Sequence, residues 1–167
     1  MLGIGTAQTV GVRGSLRSGA VRGDGFITLA DGTARWGRFG AAGVLVRHRD
    51  QVFVAQRSLH CHNGGTWAIP GGALDLGESP LEGALREFSE EIGIRLEAFE
   101  VAEIHEDDHG GWSYWTIVVD VHEPFEPPVD LHWETAAVAW VTLGHLAELE
   151  LFPAFRTTLA RLGLLPT

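Results

Sequence analysis

Lysine is absent from the 167-residue chain, and basic side chains of any kind are scarce. The 12 basic residues are all arginine and stand against 22 aspartates and glutamates, which gives a formal net charge of −10 with histidine neutral. A protein that coats long nucleic acid draws most of its affinity from a basic surface, so this balance argues against that class. An anionic substrate would need a cation to offset the acidic protein, and a divalent metal could supply it.

Cysteine and long apolar runs are equally scarce. Cys61 is the single cysteine and cannot form an intramolecular disulfide, which fits a reducing compartment. No apolar run approaches the roughly 20 residues that span a bilayer, and the N-terminal residues lack the basic start and apolar core of a secretory signal. We therefore expect a cytoplasmic protein without a membrane partner.

Strand and helix patterns alternate along the chain, which predicts a layered α/β fold. We expect residues 1–37 to form a flexible arm and a β-hairpin extension, and residues 38–167 to form the main domain. Apolar alternation and turn residues predict the following elements: a hairpin of Phe26–Leu29 and Ala34–Trp36, strands at Ala41–Val46, Val52–Gln56, Leu96–Ile104, Tyr114–Val121 and Ala137–Val141, a short strand at Trp67–Gly72 that runs into a glycine turn, an acidic loop over 106–111, and a terminal helix at Pro153–Leu162.

The clearest predicted helix covers residues 79–92. Ser79 suits the N-cap, Pro80 suits the first helical position, and Glu82 completes a capping box with Ser79. Gly93 follows where a left-handed residue ends a helix.

Three glutamates share one face of this helix, away from its apolar stripe. Glu87, Glu90 and Glu91 repel one another at this spacing, and a hard cation between their oxygens would relieve that repulsion. Mg²⁺ and Mn²⁺ prefer such oxygen ligands. Arg86 precedes Glu90 by four residues and can hold its carboxylate. Taken alone, the pattern is more typical of a solvated acidic helix face than of a metal site.

The residues around the helix carry a more specific pattern. Gly72 is followed by five residues, then Glu78, then seven residues, and then the run Arg86-Glu87-Phe88-Ser89-Glu90-Glu91-Ile92-Gly93-Ile94. This 23-residue stretch resembles the Nudix box at every fixed position and spacing. The similarity covers about residues 38–150 and leaves the arm and hairpin outside.

The resemblance implies an α/β/α sandwich with a mixed sheet and a hydrolase of nucleoside diphosphates linked to another group. It implies that Mg²⁺ or Mn²⁺ is held by Glu87, Glu90 and Glu91, helped by the backbone carbonyl of Gly72. It further implies that two other positions, Glu78 and Arg86, support the loop and orient the glutamates, with Glu78 able to reach metal through water. Water would then attack phosphorus without a covalent enzyme intermediate.

The general base and the substrate contacts are less tightly specified. Glu134 occupies the usual loop position for the base and is our first candidate, with Glu91 second; an ordinary loop carboxylate is an equal interpretation of Glu134. Arg57 is a reasonable contact for a phosphate. Tyr114 and Trp115 could stack on a nucleobase, although aromatic residues on a strand are more often packing residues.

The expected substrate is a small nucleotide, either a nucleoside triphosphate or a nucleotide-sugar. Two alternatives remain open: a catalytically silent nucleotide-binding regulatory module of the same fold, and an allylic diphosphate isomerase. The first usually lacks some of the box carboxylates, all of which are present. The second needs a reactive cysteine, for which Cys61 is the only candidate. The resemblance and the extra hairpin also make a homodimer reasonable.

Overall fold

Nine strands and three helices make up the part of the chain, residues 19–165, that the computed structural model describes. Most of the predicted flexible arm lies outside these residues. The strands are β1 Phe26–Thr28, β2 Ala34–Trp36, β3 Ala41–His48, β4 Gln51–Arg57, β5 Trp67–Ala68, β6 Gly71–Ala73, β7 Glu100–Asp108, β8 Ser113–Asp120 and β9 Thr135–Thr142. The helices are α1 Pro80–Ile92, α2 Leu143–Leu146 and α3 Pro153–Arg161.

The strands form a two-stranded sheet, β1–β2, and a seven-stranded mixed sheet. The large sheet runs β5-β4-β3-β8-β7, with β6 also paired to β3 and β9 to β4. The pairing of β3 with β8 is parallel, and the other pairings in this sheet are antiparallel. The sequence prediction of a mixed sheet with a separate N-terminal hairpin is confirmed.

The central helix α1 has the ends that its sequence predicts. The Ser79 side chain accepts a hydrogen bond from the Glu82 amide, and the Glu82 side chain accepts one from the Ser79 amide. Gly93 ends the helix at φ 75°, a left-handed conformation that side chains with a Cβ disfavour. These caps fix the register of the helix, and with it the direction of each glutamate.

Two buried clusters, one on each face of the large sheet, hold the layers together. On one face Phe88 and Ile92 of α1 pack against alternate residues of β3, β4 and β8, including Val44 and Phe53. On the other face, Leu146 of α2 and the apolar side of α3 pack against the intervening strand residues. The helices therefore cover both faces, and the predicted α/β/α sandwich is confirmed.

Several element boundaries differ from the sequence prediction. The predicted acidic loop over 106–111 begins inside β7, because residues 106–108 pair with residues 113–115 of β8. The predicted strand at Leu96–Ile104 starts only at Glu100, and the short helix α2 was not predicted. The stretch Trp67–Gly72 divides into β5 and the start of β6 around Pro70.

Strand β7 lies at one edge of the large sheet, where β8 is its only neighbour among the described strands. Five of its nine residues are acidic, and most of the strand is exposed. Its two large aliphatic side chains, Val101 and Ile104, are 43% and 53% exposed. None of the helices within residues 19–165 has both the length and the apolar character required to span a bilayer.

Candidate active site

A cleft of about 220 Å³ opens where β3 and β4 separate. These strands pair with each other at only two positions beside their turn, Arg47 with Val52 and His48 with Gln51. Farther from the turn, β3 pairs with β6 and β4 pairs with β5, so the chain between β5 and β6 crosses the gap. The cleft is lined by residues of this gap, of α1, of the loop before β9 and of the N-terminal segment: Asp24, Trp36, Ala55, Gln56, Arg57, Ala68, Ile69, Gly71, Gly72, Ala73, Glu87, Glu91, Glu134 and Thr135.

Arg86 is the hub that holds the acidic side of the cleft together. Its guanidinium donates two hydrogen bonds to the Glu78 carboxylate, from Nε at 2.9 Å and from Nη2 at 3.0 Å. Nη1 donates to Glu87 Oε1 at 2.6 Å, and Nη2 also donates to the carbonyl of Ala73 at 2.8 Å. The bonds to Glu78 and then to Glu87 hold the pKa of Arg86 above its usual range, against the effect of burial. Arg86 thus ties α1 to β6 and to the loop between them.

The predicted contact between Arg86 and Glu90 is weaker than the contact with Glu87. Arg86 Nη1 lies 3.5 Å from Glu90 Oε2, and the Glu90 side chain is half exposed. Glu90 lies beside the cleft and is absent from its lining. The three glutamates of the predicted metal face therefore occupy different environments, with Glu87 and Glu91 enclosed and Glu90 at the surface.

Gly72 allows the Glu87 carboxylate to approach the backbone of β6. A Cβ at position 72 would lie 2.5 Å from Glu87 Oε2, so any larger residue would displace this carboxylate. Burial raises the pKa of Glu87, while the hydrogen bond from Arg86 acts in the opposite direction. Glycine is therefore needed at position 72 to leave room for the Glu87 carboxylate.

Glu91 is the most strongly perturbed carboxyl of the cleft. Burial raises its pKa to about 8, and the negative charges of Glu87 and Glu134 add to that effect. A hydrogen bond from the Gly71 amide and the charge of Arg57 oppose it. The carboxyl group therefore faces an environment with more negative than positive charge, which a cation would balance.

Arg57 and Glu134 lie on the opposite side of the cleft from α1, on neighbouring strand ends. The Ser58 amide donates to the Glu134 carbonyl at 2.7 Å, which fixes the loop that carries Glu134. The Glu134 side chain is 46% exposed and lies 3.6 Å from His132 Nδ1. Arg57 donates from Nε to the His62 carbonyl at 2.9 Å and lies over the Phe152 ring. One basic and one acidic side chain are thus both presented to the cleft.

The structure does not bring Tyr114 or Trp115 into the lining of this cleft. Tyr114 packs in the core beneath it, where burial raises the pKa of the phenol well above its usual range. Trp115 packs on the opposite face of the sheet and borders a different hollow, together with Arg38 and Trp112. Neighbouring residues on a strand point to opposite faces, so the two could not have served one site together.

The sequence interpretation overlooked two residues of the N-terminal segment that line the cleft, Asp24 and Trp36. Trp36 is 46% exposed. Trp112 helps to hold the hairpin against the domain, since its Nε1 donates to the Gly37 carbonyl at 2.9 Å. The only sequence signal for Trp36 was its position opposite Phe26 in the predicted hairpin, on the face away from Arg35.

The side chains that line the cleft offer the type of ligand atom, carboxylate oxygen, that a hard divalent cation prefers. Carboxylate oxygens of Glu87, Glu91 and Glu134 line one small cleft, and Mg²⁺ or Mn²⁺ prefers such ligands. Across residues 19–165, however, no group of three or more His, Cys, Asp or Glu side chains converges into a ready metal cage. This arrangement suits Mg²⁺, which usually takes one or two carboxylates and completes its coordination with water and substrate phosphates.

Comparison with known proteins gives concordant results. The family model described as NUDIX domain matches residues 37–162. The chain is 39% identical over 155 residues to a "Putative 8-oxo-dGTP diphosphatase 3" from Mycobacterium tuberculosis, covering 86% of this chain and 70% of that protein. It is 38% identical over 145 residues to a "Nucleoside triphosphate pyrophosphatase/Nudix hydrolase fusion protein" from Bifidobacterium longum, covering 81% of this chain and 30% of that protein.

Solved structures show the same relationship. A Nudix hydrolase from M. smegmatis superimposes with a TM-score of 0.75 at 34% identity, covering 87% of this chain and 98% of that one. An Ap4A hydrolase from C. elegans superimposes with a TM-score of 0.56, covering 74% of this chain and 98% of that one. At 22% identity, the second match shows the shared fold.

Proposed function

We propose that this chain, which belongs to the Nudix hydrolase family, hydrolyses a nucleoside triphosphate to a nucleoside monophosphate and inorganic diphosphate, with Mg²⁺ or Mn²⁺ as cofactor. The single observation that carries the proposal is the cleft that Glu87, Glu91, Glu134 and Arg57 line together. The names of two similar proteins, one a diphosphatase of 8-oxo-dGTP and the other a nucleoside triphosphate pyrophosphatase fusion, support this substrate class.

Glu87 and Glu91 would hold the metal, with Glu90 at the edge of the cleft and the Gly72 carbonyl as further ligands. When bound, the ion would offset phosphate charge and make a bound water more acidic. Arg86 acts as a positioning residue, because it holds Glu87 and Glu78 while its own charge is already committed to them. Without Arg86, Glu87 would be free to rotate away from Gly72.

Arg57 would contact the phosphates directly. Its Nε is committed to the His62 carbonyl, while its Nη groups make no hydrogen bond to any residue between 19 and 165. Arginine pairs well with phosphate oxygens through such planar N–H groups. One positive charge in an otherwise acidic cleft would orient the anion at the side away from α1.

Glu134 would accept the proton of the attacking water. The new bond joins the water oxygen to one phosphorus of the α–β anhydride, the bond from that phosphorus to the bridging oxygen breaks, and the other phosphate group leaves with the electron pair on that oxygen. Glu134 is suited to this role because it is half exposed, lines the cleft and is held at the backbone by Ser58. Glu91 is the second candidate for the base.

The test is a panel of nucleoside triphosphates, including 8-oxo-dGTP, together with nucleotide-sugars, each assayed with Mg²⁺, with Mn²⁺ and with chelator. Mass spectrometry of the products in ¹⁸O water identifies the phosphorus that is attacked. We expect each nucleoside triphosphate that is hydrolysed to give a nucleoside monophosphate and inorganic diphosphate, and only when metal is present. Turnover of nucleotide-sugars alone, or of none of the compounds, would refute the proposal.

Variants separate the proposed roles. Glu134→Gln should lower kcat by about 100-fold or more if Glu134 is the base. Glu97→Gln is the matched control, because Glu97 is an exposed carboxylate beyond the end of α1 and outside the cleft. A decrease smaller than tenfold for Glu134→Gln would move the role of base to Glu91.

A further inference from the structure

The N-terminal hairpin carries an aromatic pair that the core does not use. Phe26 and Trp36 are directly opposite each other in the β1–β2 register, and their rings meet edge to face at 5.0 Å. Phe26 is 71% exposed and Trp36 is 46% exposed. Single exposed aromatic side chains are common, but two that contact each other form a contiguous apolar patch, and such patches often mark binding surfaces.

One member of the pair, Trp36, is located at the proposed active site. Trp36 lines the same cleft as Glu87, Glu91 and Arg57. Asp24, just before β1, lines the cleft as well, and its charge contributes to the raised pKa of Glu87. Two independent residues of the N-terminal segment therefore reach the acidic side of the cleft.

The face of the hairpin opposite Trp36 packs against the main domain, and these contacts hold the Trp36 face in place. Arg35, on the opposite side of β2 from Trp36, lies over the Trp112 ring and has Nη2 3.2 Å from His109 Nδ1. The same His109 lies 3.1 Å from Asp107, which also accepts a hydrogen bond from Arg161 of α3. A two-stranded hairpin is marginal by itself, and these contacts fix it to the domain.

The preceding segment is attached just as firmly to the loop before α1. The Gly23 amide donates to the buried Asp75 carboxylate at 2.9 Å, and the Leu76 amide donates to the Val21 carbonyl at 3.0 Å. Gly23 also packs so closely on the Leu74 carbonyl that a Cβ would collide with it. Trp36 is thus exposed on a rigid support, which lowers the entropy cost of contacting a ligand.

We propose that Trp36, supported by Phe26, is the stacking platform for the nucleobase of the substrate. A nucleotide joins an anionic phosphate chain to a flat aromatic ring, and the cleft offers a cation-binding acidic side and an exposed indole at its rim. Stacking on an aromatic side chain tolerates every base, so this residue would provide affinity for nucleotides over phosphates that lack a base. The role rests on the proposed function, which it extends to the base-binding side of the site.

The test compares binding of a nucleoside monophosphate, dGMP, with binding of inorganic tripolyphosphate, both by calorimetry with Mg²⁺ present. Trp36→Ala should weaken dGMP binding by about 5- to 150-fold, the range measured for loss of one base–aromatic stack. It should leave tripolyphosphate binding unchanged. Trp36→Phe should retain most of the dGMP affinity, whereas Trp36→Leu, which keeps apolar contact without a π face, should lose it.

Trp133→Ala is the matched control, because Trp133 is 66% exposed and does not line the cleft. Unchanged dGMP affinity in Trp36→Ala would overturn the proposal. An equal loss for dGMP and tripolyphosphate would also overturn it, because the indole would then only shape the cleft. Should Trp36→Ala fail to fold, the comparison of the Phe and Leu variants decides the question.

The stacking role and the proposed function fail in different ways. If the parent protein binds dGMP through Trp36 but hydrolyses no nucleoside triphosphate, the proposed function is wrong and the stacking role stands. If the parent hydrolyses triphosphates and Trp36→Ala does so with unchanged KM, the stacking role is wrong and the proposed function stands. A KM increase with kcat nearly unchanged would agree with both.

Discussion

Replacing Glu91 by glutamine should remove part of the pH dependence of stability in the metal-free protein. The carboxyl is raised from a reference pKa of 4.5 to about 8 by burial and by its acidic neighbours. Between these two values the folded protein keeps a proton that the unfolded chain releases, so stability falls as the pH rises. Glutamine resembles the protonated carboxyl, retains an oxygen that can accept from the Gly71 amide, and carries no charge at any pH.

The magnitude follows from the two pKa values. A shift from 4.5 to about 8 corresponds to roughly 3 to 6 kcal/mol over the full range. Between pH 6 and pH 8 the parent should lose about 2 kcal/mol relative to Glu91→Gln, because a proton is bound in the folded state for most of that interval. Ionisable groups distant from Glu91 are common to both proteins and cancel in the difference.

Urea denaturation in chelator at pH 6, 7 and 8 measures this difference directly. Glu90→Gln is the control, because the Glu90 side chain is half exposed and its variant should follow the parent. A constant stability difference between Glu91→Gln and the parent across this pH range would show that Glu91 ionises as an ordinary exposed carboxyl. Our interpretation of the cleft as an electrostatically unbalanced site would then fail.

Two further predictions concern Arg86 and Cys61. Arg86→Lys should lower the free energy of unfolding by about 2 to 3 kcal/mol, since one ammonium cannot replace the hydrogen bonds to Glu78, Glu87 and Ala73; an unchanged urea midpoint would contradict the role of Arg86 as a hub. Cys61→Ala should keep kcat and KM within about twofold, because Cys61 lies in a loop outside the lining of the cleft and an intact hydrolase box does not require a thiol; loss of activity would favour the isomerase alternative.

The helix that carries the glutamates was predictable because its signals are local. Ser79, Pro80, Glu82 and Gly93 each determine a helix end through contacts within a few residues, and the structure shows those contacts. The family resemblance across Gly72–Ile94 rests on spacing in one continuous stretch. Both the helix ends and the family resemblance can therefore be predicted from the sequence without knowing the tertiary fold.

The remaining features depend on contacts between distant segments. The helical spacing predicts a contact between Arg86 and Glu90. In the structure the Arg86 guanidinium lies closer to Glu87, whose carboxylate packs against Gly72 of β6. Residues 106–108 carry the polar composition of a loop, yet pairing with β8 makes them strand. The sequence alone does not show that Tyr114 and Trp115 are packing residues, because that depends on which face of the sheet each one occupies. Trp36 reaches the cleft only because contacts with Trp112 and Asp75 hold the N-terminal segment against the domain.

The exposed edge strand β7 has a consequence for assembly at high protein concentration. A second copy that extended the sheet there would have to place its own acidic side chains beside Glu100, Glu103 and Glu106. Like charges on adjoining strands discourage this kind of edge-to-edge growth, and high salt would weaken that protection by screening the charges. Any homodimer of this chain is therefore expected to form through another surface, and high ionic strength is the condition under which strand-mediated aggregation should first be observed.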